Sequence, residues 1–188
     1  MKTRMSGLFI LVLLSIESGC SILPQTQPSA VHDFGVPNSN PSSETSTPTQ
    51  QPSITVQAPK WLADNRIRYR LLYATPTQVR FYALDRWIAP PPELFEQLLK
   101  ASAEQWPKSA TIQLDVFEQQ FDTANQAKVV IHFTATTVPK DNKHQANKRD
   151  FHLQLPCPTP DAKGAVTGFT SLTKQAVDKV QAWLADAN

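Results

Sequence analysis

Apolar and polar residues alternate along several stretches of this chain, which is the pattern of β-strands that bury one face. In the run 66–72 the apolar positions share one face, and arginines at the alternate positions share the other. Two longer alternating runs, 111–121 and 127–138, lie on either side of a short polar turn and predict a hairpin. Six strands are predicted in all, at residues 53–57, 66–72, 79–84, 111–121, 127–138 and 149–155.

Two other stretches carry apolar residues at the spacing of an amphipathic helix. The first is predicted over 93–106, where Pro107 ends it; the second follows Thr159-Pro160-Asp161, which supply a cap, a first-turn proline and an early acid. The second helix has one continuous apolar stripe, formed by Phe169, Leu172, Thr173, Ala176, Val177, Val180, Trp183 and Leu184. Hairpins without repeated strand-helix-strand units predict an α/β (α+β) fold, in which two main helices pack on a mostly antiparallel or mixed sheet of about five to six strands.

The start of the chain has a different character from the rest. Lys2 and Arg4 precede an apolar run, Leu8–Ile16, and small residues follow it, which is the layout of a secretory signal. The apolar run is about half of the ~20 residues that a membrane-spanning helix needs. We therefore predict that residues 1–19 are a signal peptide and take no part in the fold.

The predicted signal ends at a cysteine. The segment Glu17-Ser18-Gly19-Cys20 resembles a bacterial lipobox, in which the cysteine becomes the lipidated first residue of the mature protein. Leucine is usual where Glu17 stands, so the alternative is an ordinary cleaved signal that leaves Cys20 as a spare thiol. Lipidation predicts a firm attachment to a lipid membrane through acyl chains on Cys20. Ser21, in place of an aspartate, favours the periplasmic face of the outer membrane.

The segment that follows is rich in Pro, Ser, Thr and Gln. Such a composition buries too little apolar surface to offset the loss of chain entropy on ordering. We therefore predict that residues 20–52 form the lipidated cysteine and a disordered tether, which includes His32. The folded domain is predicted over 53–188, a length that can form an adequate core without disulfides.

Three consecutive prolines, Pro90–Pro92, separate an Arg-Trp pair from the first predicted helix. Proline is tolerated in the first turn of a helix, because the N–H groups there have no intrahelical acceptor. Polyproline recognition motifs, by contrast, lie in extended and exposed chain. The flanking strand and apolar helix favour a corner between two elements over a polyproline ligand.

The segment YALDRWIAPPPELFEQLL, residues 82–99, resembles the ABC-transport auxiliary lipoproteins, the PqiC-like family that accompanies MCE-type lipid transport systems. PKWLADNRIRYRLLY, IQLDVFEQQF and TPDAKGAVTGF resemble other segments of the family in the same order, so that the resemblance spans roughly 54–184. It implies a compact fold similar to the amino-terminal domain of TolB, and a lipoprotein that binds an MCE protein without catalysis. It also implies that a homo-oligomeric ring is possible. The alternative is an outer-membrane assembly lipoprotein, such as the lipopolysaccharide-assembly type that works as a plug or chaperone.

Four residues are candidates for contact with a partner or a second subunit. Arg86 and Trp87 belong to the residue types that anchor interfaces, although a Trp at a strand end also serves as a core residue. Gly164 and Gly168, spaced by four, leave a bare stripe on the final helix. Another backbone can approach such a stripe closely, either in this protein's own sheet or in a neighbouring subunit.

Residues typical of catalysis are sparse. His132 and His152 fall on the polar faces of two predicted strands and face each other if those strands pair, which makes at best half a metal site. Cys157 is the single thiol that remains once Cys20 is lipidated. Nucleotide-binding and hydrolase motifs are absent, so we predict no enzyme, no cofactor and no metal. A net charge of +2 gives no indication of a nucleic-acid partner.

Overall fold

The computed structural model describes residues 28–35, 52–102, 106–139 and 145–186. These residues form seven strands, two α-helices and one short 3-10 turn at Lys60–Leu62. The strands are β1 (Ala30–His32), β2 (Ile54–Gln57), β3 (Arg66–Leu71), β4 (Arg80–Trp87), β5 (Ala110–Thr123), β6 (Gln126–Thr137) and β7 (Lys148–Pro156). The helices are α1 (Pro91–Ala101) and α2 (Ala162–Asp186).

The strands form one mixed sheet with the order β1-β4-β3-β5-β6-β7. The neighbours β3–β4, β5–β6 and β6–β7 are antiparallel, whereas β1–β4 and β3–β5 are parallel. Strand β2 also pairs with β5 in parallel. It lies beside the first residues of β5, whereas β3 lies beside the last residues of β5. Because β6 occupies the other edge of β5, β2 and β3 follow one another along a single edge. The predicted fold class is confirmed.

Strand β1 lies in the segment that composition assigns to a tether. It pairs with the end of β4, and the next aromatic residue, Phe34, is only 3% exposed. The prediction that the tether runs to residue 52 is therefore wrong over residues 28–35. Three residues are too few to show a periodic pattern, and Phe34 gains its partners only in the folded sheet. Residues 1–27 and 36–51, which include the predicted signal, Cys20 and the remaining tether, lie outside the described residues.

Both helices cover the same face of the sheet. Phe95 of α1 packs on Phe133, whose cross-strand neighbour Phe151 packs on Trp183 of α2. All eight residues of the apolar stripe predicted for the last helix are buried, which confirms that prediction. The opposite face of the sheet, which we call the outer face, carries the arginines of β3.

Helix α1 begins at the proline corner. Pro90 is extended, and its carbonyl accepts the backbone N–H groups of Glu93 and Leu94. Pro91 is the first helical residue and is buried, so its missing N–H removes no helical bond. The corner interpretation is confirmed. The helix ends at Ala101 rather than at residue 106.

A β-bulge in β5 reverses which side chains face the helices. The register with β6 shifts between Leu114 and Val116. The buried positions before it are Ala110, Ile112 and Leu114, and those facing the helices beyond it include Phe117, Gln119 and Phe121. An extra residue at a bulge shifts the alternation by one. Gln119 is thereby turned into the interior beside the start of α2.

Candidate functional site

Trp87 is a core residue in this structure. It is 1% exposed, and its ring centroid lies 5.1 Å from that of Phe34, 5.7 Å from that of Phe169 and 6.1 Å from that of Phe117. A side chain enclosed in this way is unable to contact a partner while the domain is folded. Trp87 as a contact candidate is therefore wrong, because the end of β4 points its indole into the aromatic core.

Arg86 has the opposite environment. It is exposed, and within the described residues it makes no ion pair or side-chain hydrogen bond. The neighbouring carboxylate, Asp85, instead lies 2.9 Å from Nε2 of His32. The structure thus separates the Arg-Trp pair into one surface residue and one core residue. Arg86 stays a contact candidate.

Gly164 and Gly168 are both buried. At each of them, another part of the same chain lies close to the helix backbone. A Cβ on Gly164 would lie 1.9 Å from the carbonyl oxygen of Thr159, which precedes the helix. A Cβ on Gly168 would lie 2.8 Å from Cγ2 of Val129 in β6. Packing on the protein's own loop and sheet accounts for both glycines without a subunit contact.

Asp161 caps α2. Its Oδ1 accepts the backbone N–H of Gly164 at 2.7 Å and the hydroxyl of Thr159 at 2.7 Å. The cap is therefore Asp161, and not Thr159 as the sequence pattern suggests; Pro160 lies outside the helix. The N–H of Gly164, with the Thr159 hydroxyl, lowers the pKa of the Asp161 carboxyl, because both bonds favour the ionised form.

Asp161→Ala is expected to lower the free energy of unfolding by about 0.5–2 kcal/mol at neutral pH, the usual effect of losing a cap. Because the folded-state pKa is lowered, the ionised form contributes stability above the carboxyl's ordinary pKa of 3.8, and this contribution is lost as pH falls below it. Urea unfolding at pH 7 and pH 3 measures the effect. Asp161→Asn, which keeps an acceptor without the charge, is the control. A difference between wild type and Asp161→Ala that is unchanged at pH 3 would contradict the capping role.

Gln119 connects the start of α2 to the sheet. It is 0% exposed; its Oε1 accepts the hydroxyl of Tyr82 at 2.6 Å, and its Nε2 donates to the carbonyl of Asp161 at 3.2 Å. The same Nε2 lies 3.4 Å from Sγ of Cys157. Burial raises the pKa of the Cys157 thiol, which disfavours its thiolate form. This network holds the helix on β5 and leaves Cys157 in a structural position.

The two strand histidines face each other as predicted. His132 and His152 are registered partners of β6 and β7, and their rings stack with centroids 3.7 Å apart. Within the part of the chain that the structure describes, no group of three or more His, Cys, Asp or Glu side chains could hold a metal ion. The exposed His152 thus stacks on the half-buried His132 at the surface of the sheet.

The arginines of β3 form an aromatic-rich cluster on the outer face, which sequence reasoning did not single out. Arg66 bonds to Asp64, and Arg70 lies 2.8 Å from Glu118. The third arginine, Arg68, is 8% exposed, and its buried Nε has no hydrogen-bond partner within the described ranges. Its guanidinium lies 5.0 Å from the ring centroid of Trp61 and 5.5 Å from that of Phe81. We call Trp61, Arg66, Arg68 and Phe81 the arginine–aromatic cluster.

This cluster could have been found from the alternation of arginine with apolar residues in β3. The Trp61 ring, which is 52% exposed, lies against Arg68 from the 3-10 turn that precedes β3. Burial lowers the pKa of Arg68 through desolvation. The outer face therefore combines cationic side chains with an exposed indole, a composition suited to contact with another molecule.

The described residues form an α+β domain, and its candidate functional sites lie on the surface rather than in an enclosed pocket. In the described ranges no helix is long and apolar enough to cross a membrane. The family model for the ABC-type transport auxiliary lipoprotein component matches residues 35–181. The chain therefore belongs to the ABC-type transport auxiliary lipoprotein component family.

Solved structures share this fold. The crystal structure of a Xanthomonas campestris protein of the DUF330 family has a TM-score of 0.61 and 16% identity, and the match covers 83% of this chain and 95% of that one. A second crystal structure, of a protein described as uncharacterized, has a TM-score of 0.60 and 17% identity, with 82% and 97% covered. No curated protein matches this chain.

Proposed function

We propose that this protein is a non-catalytic auxiliary lipoprotein of an MCE-type ABC lipid transport system. In this role it is anchored through Cys20 at the periplasmic face of the outer membrane and docks with the MCE protein to support lipid traffic and envelope integrity. The observation that carries the proposal is the family match over residues 35–181. Membership of this family associates the chain with an ABC transport system and with the cell envelope.

The described side chains are consistent with a binding role. Burial raises the pKa of the Cys157 thiol, which disfavours its nucleophilic form, and the histidine pair lacks a third ligand within the described residues. A reaction centre needs a nucleophile or metal, a base and a stabilising group around one substrate position. The exposed parts of the outer face offer contact surface for a protein or a lipid.

Photo-crosslinking in native envelopes tests the proposed partner. A photoreactive residue placed at Lys174 on the helical layer, or at Gln154 on β7, samples two exposed surfaces. We expect an MCE protein among the captured proteins, and we expect Cys20→Ala to abolish both acylation and the crosslink because it releases the chain from the membrane. Light scattering on the purified protein tests whether it forms the homo-oligomeric ring that the family resemblance implies is possible.

The same experiment separates the two classes of lipoprotein. Capture of a lipopolysaccharide-assembly protein, with no crosslink to any MCE protein, would support the plug or chaperone alternative instead. Acylation that persists in Cys20→Ala would contradict the anchor. If the protein is acylated and folded but gives no crosslink, the docking with an MCE protein is contradicted and the membrane anchor is not.

A further inference from the structure

Three exposed apolar side chains lie together at the β1 end of the sheet. Val31 is 49% exposed and is registered with Arg86; Leu84, two residues before Arg86, is 46% exposed. Ile88 is 65% exposed, and its backbone N–H donates to the carbonyl of His32, at the end of β1. Single exposed apolar residues need no explanation, but these three are neighbours at one corner of the sheet and form a candidate contact surface.

Arg86 lies among these three residues. It also connects them, across the sheet, to the arginine–aromatic cluster. Arg86 is registered with Arg66 across β3 and β4. Aliphatic, arginine and tryptophan side chains on one surface are the composition of proteins that rest on a lipid headgroup layer. We call Val31, Leu84, Arg86 and Ile88 the β1 corner.

The chain length between this corner and the proposed anchor decides which molecule covers it. Seven residues, 21–27, separate Cys20 from the first described residue, Pro28. Even fully extended, they allow a separation of only roughly 30 Å. A domain of this size has a radius of gyration of about 14 Å. The acyl anchor therefore keeps the β1 corner within reach of the bilayer.

We infer that the β1 corner rests on the surface of the membrane that holds the Cys20 acyl chains. The three apolar side chains enter the headgroup boundary, and Arg86 binds lipid phosphate groups. Arg86 suits this role because its charge is not neutralised within the described residues, whereas Arg66 is paired with Asp64. Nearby Asp33 is exposed and accepts the backbone N–H of Gly35. The inference rests on the anchor of the proposed function and adds an orientation to it.

An environment-sensitive fluorophore tests the contact. It is attached to Leu84→Cys in a Cys157→Ser background of the full acylated chain, reconstituted in vesicles of phosphatidylethanolamine and phosphatidylglycerol. We expect a blue-shifted emission that nitroxide-bearing lipids quench. The matched control is Gln154→Cys, on the opposite edge strand, for which we expect neither effect. Acylation of Cys20 is verified by mass spectrometry on the same sample.

Two variants test the chemistry of the surface. Val31→Glu with Ile88→Glu is expected to abolish the blue shift while the melting temperature is retained, because both positions are exposed. Arg86→Gln is expected to lower the equilibrium constant for contact about fivefold on vesicles with phosphatidylglycerol. It is expected to have no such effect on vesicles of phosphatidylcholine alone.

The possible outcomes either support or overturn the inference. An acylated protein whose probe stays in water overturns it and leaves the proposed function intact, whereas an unacylated Cys20 contradicts the anchor itself. A blue shift that needs no vesicles and grows with protein concentration overturns it in favour of a second copy. A shift that requires an added transport protein overturns it in favour of protein docking.

Discussion

Phe34→Ala is expected to lower the free energy of unfolding by about 3–5 kcal/mol, the usual effect of truncating a buried phenylalanine. The ring is 3% exposed, stacks on Phe117 at 5.5 Å between centroids and meets the edge of Trp87. Its removal leaves a cavity that rigid aromatic neighbours fill poorly. Since small domains are stable by only about 5–15 kcal/mol, the change is large. Urea unfolding of the wild type and variant measures it.

Val31→Ala is the matched control for this prediction. Val31 belongs to the same short strand but is 49% exposed, so its truncation is expected to change stability by about 0.5 kcal/mol or less. An unfolding curve for Phe34→Ala that coincides with that of the wild type would show that residues 28–35 are not part of the folded unit. The composition-based tether would then be correct after all.

Gly164→Ala is expected to lower the free energy of unfolding by about 3 kcal/mol, at the upper end of the range for overpacking. The added Cβ would meet a backbone oxygen of Thr159 at 1.9 Å, so the loop must move as a whole. That movement also weakens the cap from Asp161, whose acceptor contacts the N–H of residue 164. Thermal melting with light scattering measures stability and subunit number together.

Gly168→Ala provides a graded comparison. Its Cβ would meet a side chain, Val129, and a side chain can shift more easily than backbone, so we expect a loss of about 1 kcal/mol. Val129→Ala in the same chain is expected to relieve the clash and to show coupling between the two sites. If either glycine variant keeps its melting temperature and instead changes its subunit number, the glycines serve an interface and the internal-packing account fails.

Periodicity predicted most of the fold because most strands bury one face. Runs such as those of β5 and β6 are long enough to show the alternation, and the last helix shows its stripe over many turns. The proline corner was predictable for a related reason, since Pro91 can occupy only the first turn of a helix. These features depend on local sequence, so a local pattern is sufficient to find them.

The features that sequence reasoning missed depend on distant partners. Strand β1 is three residues long, and its pairing partner and the aromatic contacts of Phe34 come from elements far along the chain. Burial of Arg68 requires Trp61 and Phe81, which approach it from separate elements. Composition therefore indicated a tether where tertiary contacts order the chain, and alternation alone did not show which arginine is enclosed.

The candidate site was predictable only in part. A strand-terminal Trp could have been a core residue or an anchor. Adjacent strand residues face opposite sides, but alternation does not say which of Arg86 and Trp87 points inward; the burial of Trp87 in the folded sheet does. The glycine spacing indicated a close backbone approach, which the structure shows at Gly164 but not at Gly168, where the approaching group is a side chain. The approaching groups belong to Thr159 and Val129 of the same chain, and their identity is a tertiary fact.

The long-range pairing of β1 has a consequence for the order of folding during the export that we propose. His32 bonds to Asp85, 53 residues later, so β1 has no partner until that part of the chain has also emerged. A three-residue strand has no stability of its own. In the proposed lipoprotein route, the chain is exported from its amino terminus, so residues 30–32 are without their strand partner during the first part of translocation. Pairing of β1 is therefore a late event in folding, which has to follow the emergence of β4.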